Sequence, residues 1–282
     1  MRRIHSPYVR IATAFAALAV VFPAAGSEIR EFNVSTLERL GRELSRRDEI
    51  AARASDLVFG EYPVARSLKM RGWITELKSA GEAVHLIVET PSGPALAYTA
   101  RFRKAGKPEV ADMRGQLLPA DIALRYKARQ TAAAALSGRL FDASYNFEIL
   151  DDPDGSGFLV YGLAATAQPN EVIMSGHFRV TVSADGTKAE RVDALSKTLL
   201  RSGPIKSDSG TGDDTAALFL MQLVSNKPIE TLIYTANLAK KPIFVGTPDR
   251  KMWIVEQGKM RLEKAKDRTS RQRSSSRQAA DH

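Results

Sequence analysis

The sequence predicts an α+β protein in which antiparallel sheets pack against helices, and three observations carry that expectation. Between Tyr145 and Gly186, runs with apolar residues at every second position are separated by turn-rich gaps. Two other segments, starting near Ser35 and Asp121, repeat apolar residues at helical spacing. Most of the gaps are filled by Gly, Pro, Asp, Asn and Ser, the residues that tight turns select.

In the central stretch, Val172, Met174, Gly176, Phe178, Val180 and Val182 share one strand face, and Ser175, His177, Arg179 and Thr181 share the other. A connection at Gln168, Pro169 and Asn170 sets Val160 opposite Phe178, Phe158 opposite Val180 and Gly162 opposite Gly176, all on the buried face. On the outer face the same register sets Tyr161 opposite His177 and Leu159 opposite Arg179. Tyr161, His177 and Arg179 are thereby expected to form one exposed polar and aromatic patch. Tyr145, Phe147 and Ile149 supply the apolar side of a third strand, and Asp151 to Gly155 the turn after it.

The 282 residues are 44% hydrophobic and 26% charged, enough apolar material for a sizeable core. Cysteine is absent, which excludes a disulfide framework, thiolate chemistry and a lipidated cysteine. Of the net charge of +9, Arg2, Arg3 and Arg10 carry three and residues 264–282 carry four, leaving +2 for the rest. A nearly neutral folded region gives no basis for specific nucleic-acid recognition.

Residues 1–26 have the layout of a cleavable secretory signal peptide: three arginines, an apolar run from Ile11 to Phe22, and small residues ahead of Ser27. The run is shorter than the ~20 residues a spanning helix requires. A periplasmic or secreted location is therefore expected, with no transmembrane span after cleavage. Residues 27–103 read as a helix plus three strands, with Ser35 and Glu38 placed as a capping box. Whether the helix runs unbroken through Ser45 to Asp48 is open. The strands are MRGWITEL, AVHLIVET and ALAYTARFR. Residues 104–120 read as a connector and domain boundary, and 121–263 as a central and C-terminal α+β module that opens on an alanine-rich helix ended by Gly138.

Helix plus three strands thus recurs at 35–103 and 121–183, without identity between the copies. Residues 202–215 form a polar loop, and 216–224 suit a buried strand or a short helix. For residues 229–239, Pro228 and the apolar spacing favour helix, whereas Thr231, Ile233 and Thr235 favour strand. Three short strands follow, and residues 264–282 form a disordered basic tail able to meet an anionic surface.

Residues 157–186, GFLVYGLAATAQPNEVIMSGHFRVTVSADG, together with 228–261, ending IFVGTPDRKMWIVEQGKMR, resemble a group of exported bacterial proteins of unknown function. The resemblance covers residues 145–262. It is similar in outline to secreted cystatin-like or PepSY-like modules, with a helix against small antiparallel sheets. It implies an exported bacterial protein and brings no catalytic residue with it.

The chemistry available is sparse. No His-x-x-x-His or Cys pair exists to seed a metal site, and no metal or cofactor is expected. Ser175 and His177 share a face, yet i and i+2 on a strand lie roughly 6.6 Å apart, too far for a nucleophile and its base. Asp152 to Gly155 lacks the acidic residues of a calcium loop and reads as a turn. Gly210-Thr211-Gly212 lacks the strand and third glycine of a dinucleotide site. These features lead to a non-catalytic envelope or periplasmic protein that binds a protein or another ligand, with Tyr161, His177 and Arg179 as its contact residues. The alternatives are a hydrolase with a dispersed site including His177, and an envelope tether acting through the basic tail.

Overall fold

The computed structural model describes residues 29–103, 106–168, 171–202 and 217–263. The expected signal peptide, Pro169 and Asn170 of the central connection, nearly all of the polar loop and the basic tail lie outside the described residues. No helix among the described residues is long and apolar enough to cross a membrane. The architecture is α+β.

Helix α1 (Val34–Glu61) is continuous, so Ser45 to Asp48 do not interrupt it. Its cap is Asn33, whose side chain accepts from Thr36 N at 2.8 Å and from Ser35 Oγ at 2.6 Å. Asn33 holds the extended conformation an N-cap needs, which displaces the Ser35 box the sequence predicts. Glu38 is consequently free to leave the helix end. It accepts from Met260 N and Lys259 Nζ at 3.0 and 2.8 Å.

Four strands follow as an antiparallel meander in the order β1 (Met70–Lys78), β2 (Gly81–Thr90), β3 (Gly93–Phe102) and β4 (Glu109–Leu117). Three were expected. The fourth occupies the stretch 104–120 that reads as a connector. Most of β4 is exposed or half-buried at the sheet edge, so no apolar alternation marks it. The C-terminal half of α1 covers one face of this sheet through Ile50, Ala54 and Val58, packed with Val84, Leu86, Tyr98 and Ala100.

Helix α2 (Ala120–Leu136) is followed by Gly138 at φ 73°. Next come β5 (Ser144–Asp151), β6 (Phe158–Ala165), the short β7 (Val172–Ile173), β8 (Phe178–Val182), β9 (Ala189–Ala194) and the short β10 (Arg201–Ser202). The central sheet is ordered β5-β6-β8-β9, and β7 pairs with β10 apart from it. The observed register sets Val160 opposite Val180, Tyr161 opposite Arg179 and Gly162 opposite Phe178. This is two residues away from the expected pairing. Gly176, at φ 101°, breaks the predicted strand between β7 and β8, so the connection spans more than three residues. A two-residue shift preserves which side chains share a face.

Both faces of the central sheet are covered. Phe158, Val160, Phe178 and Val180 pack on Ile122, Tyr126, Ala132 and Leu136 of α2. The face expected to meet water carries Leu159, Tyr161 and Leu163, which pack on Leu37, Leu40 and Leu44 of α1.

The C-terminal sheet contains β11 (Leu218–Met221), β12 (Ile243–Gly246), β13 (Met252–Glu256) and β14 (Lys259–Leu262), in that order. Residues 229–239 resolve to helix α3 (Glu230–Ala239), which crosses between the parallel pair β11 and β12. It packs tightly on α1. A Cβ built on Gly41 would lie 2.6 Å from both Glu230 O and Ile233 Cβ, so only glycine admits this approach.

Candidate functional site

The sequence places Tyr161, His177 and Arg179 on one outer patch, and the structure buries all three. Tyr161 and Arg179 are cross-strand partners. Arg179 donates from Nη1 to Glu230 Oε1 at 2.6 Å, from Nη2 to Asp193 Oδ2 at 2.7 Å and from Nη2 to Arg30 O at 2.5 Å. Tyr161 Oη donates to the same Glu230 oxygen at 2.8 Å. Phe32 lies beneath both Arg30 and Arg179, each guanidinium carbon 4.8 Å from its ring centre. Arg30 in turn grips Asp152 and Asp154 of the β5–β6 turn.

Burial opposes the charge on Arg179, but Glu230, Tyr161 and Asp193 outweigh it and raise its pKa. Burial, reinforced by Glu230, pushes the Tyr161 phenol well above its usual range. The cluster is an ionic clasp joining residues 30–32, β8, β9 and the first residue of α3. Tyr161 and Arg179 themselves have no solvent exposure, which corrects the expected exposed patch.

His177 sits elsewhere. Its residue is 2% exposed, and Nδ1 accepts from Ala164 N at 3.0 Å. The neutral ring therefore carries its proton on Nε2, and among the described residues that donor has no hydrogen-bond partner. Burial lowers its pKa to about 4. The Tyr234 ring stands edge-on, 6.0 Å between centroids.

His177 lines a cleft of about 70 Å³ bounded by residues 174–176, 195–198 and 220–223 and by the entry to α3. Met174, Leu195, Leu220, Ile229 and Leu232 make the lining largely apolar, and Lys197 and Gln222 add polar groups. Lys197 is exposed and has no ion-pair partner among the described residues. The Ser175 hydroxyl donates to Thr198 O at 2.8 Å rather than to His177.

Among the described residues, a chain of carboxylate, imidazole and hydroxyl lies elsewhere. His85 Nε2 lies 3.0 Å from Glu76 Oε2 and Nδ1 lies 3.1 Å from Thr99 Oγ1. Thr99 has no solvent exposure, so the chain pins three neighbouring strands and gives a substrate no approach. Glu148, unremarked in the sequence, is another buried acid: it accepts from Trp73 Nε1 at 2.7 Å and Thr75 Oγ1 at 3.0 Å. No group of three or more potential metal ligands converges among the described residues.

Comparison with known proteins gave no matching family model, and no curated protein or solved structure with significant similarity.

Proposed function

We propose that this chain is an exported, non-catalytic binding protein of the periplasm or envelope, and that it takes its ligand in the cleft beside His177. One observation carries the reading: His177 lines a largely apolar cleft, and its buried Nε2–H has no hydrogen-bond acceptor among the described residues. A buried polar group left unpaired costs roughly 1–3 kcal/mol, which a ligand oxygen would return. The leader-like residues 1–26 support export. Binding is favoured over turnover because Nδ1 of His177 is engaged by a backbone amide, where a general base would have a carboxylate, and Ser175 is turned to a carbonyl.

The test is nuclear magnetic resonance of the imidazole nitrogens, assigned against His177→Gln, during titration with short carboxylates, amides and alcohols. A saturable shift at Nε2 is expected from members that offer an acceptor oxygen. If every member leaves Nε2 unmoved, the cleft reading fails.

A further inference from the structure

Strand β11 ends its sheet, and its inner edge is committed to β12. Leu218 N donates to Pro242 O at 2.9 Å, and Gln222 N donates to Gly246 O at 2.8 Å. Because backbone groups alternate along a strand, those of Phe219 and Met221 point away from β12. No described strand pairs with that outer edge. Phe219 and Met221 on the strand, and Leu223 just beyond it, are 57%, 53% and 59% exposed, an apolar edge that natural proteins usually shield with charge or proline. Leu220 to Leu223 also border the cleft that His177 lines, so the open edge runs into that cleft.

Resting on the binding reading above, we infer that the ligand is an extended, apolar peptide segment ending in a free carboxylate, added as a strand along β11. Each feature of the surface selects part of that description. Backbone amides and carbonyls at Phe219 and Met221 are complementary to another extended chain and indifferent to its side chains. The enclosed space of about 70 Å³ admits the end of a chain rather than a whole folded element. The apolar walls accept a terminal aliphatic side chain, and Lys197, exposed and without an ion-pair partner among the described residues, suits an anionic oxygen beside His177.

The experiment uses the full chain and a short synthetic peptide of alternating valine and threonine that ends in leucine with a free carboxylate. Fluorescence anisotropy compares it with the same peptide as its C-terminal amide and with a version N-methylated at alternate amides. Amidation is expected to weaken binding about tenfold, and alternate N-methylation by more than tenfold when the methyls face β11. Lys197→Gln, an exposed change that spares the core, is expected to shrink the preference for the free acid. Equal affinity of acid and amide, or indifference to N-methylation, would overturn the inference. If small acids move the His177 resonance and no peptide binds, the peptide inference falls while the cleft reading stands. If neither registers, both fall.

Discussion

Nη1 of Arg179 lies 2.6 Å from Oε1 of Glu230, and neither side chain has any solvent exposure. The pair fastens β8 to the first residue of α3, where the helix N-terminus also favours a carboxylate. Asp193, 2% exposed, is a second carboxylate on the same guanidinium and is shared with Arg191.

Removing the cation alone leaves Glu230 buried without a cationic partner, while Asp193 keeps Arg191. Arg179→Met is therefore expected to destabilise the fold by about 3–5 kcal/mol. Adding Glu230→Gln to that variant should recover part of the loss, because the stranded charge is then neutral. Urea midpoints at an unchanged denaturant slope measure both.

Two glycines of α1 should respond oppositely to alanine. At Gly41 the new methyl would meet the Glu230 carbonyl and Ile233 Cβ at 2.6 Å, and α3 must retreat, for an expected loss of about 1–3 kcal/mol. At Gly60 nothing lies within 4 Å of the new methyl. There the helix preference for alanine should prevail, with a gain of roughly 0.5–1 kcal/mol. Thermal unfolding of the two single variants provides the contrast.

Two buried groups give stability opposite slopes with pH. Burial raises Glu148 from 4.5 to about 7, against the pull of the Trp73 bond and of Arg47. Between those values the native chain holds a proton that the unfolded chain has lost, so this contribution falls as pH rises. Burial lowers His177 from 6.5 to about 4, so the unfolded chain holds the extra proton and stability falls as pH drops. Between about 4.5 and 6.5 the two oppose each other. Glu148→Gln keeps an oxygen for Trp73 and removes the first slope. Its stability relative to the parent should rise by up to about 3 kcal/mol from mildly acidic to neutral pH, measured by urea unfolding at each pH.

The sequence made the elements legible wherever one face is apolar and the other polar. That holds for α1, α2, β1 to β3 and the small strands after α3. It failed at β4, where neither face is consistently buried, and at β9, whose pattern is equally mixed. The face alternation in the central hairpin was readable, and so was the sharing of a face by Tyr161 and Arg179. What covers that face was not: Leu159 and Leu163 signalled a second apolar surface, but only the return of α1 and α3 across the sheet seals it.

Glu230 and Asp193, the partners of Arg179, lie 51 and 14 residues away from it in the chain, beyond any local spacing rule. The cleft was hidden for a related reason. Its walls come from four separate segments, and the signal within reach was the lone central histidine, which the strand pattern aimed at water.

Helix α1 runs 28 residues, roughly 42 Å, and serves two cores along its length. Leu37, Leu40 and Leu44 anchor it among α3 and the central and C-terminal sheets, while Ile50, Ala54 and Val58 anchor it over the first sheet. A single rod threaded through both hydrophobic interiors makes their melting interdependent. Loss of order at one end strips the rod's other end of the rigidity its packing requires, so heat should dismantle both interiors in one cooperative step.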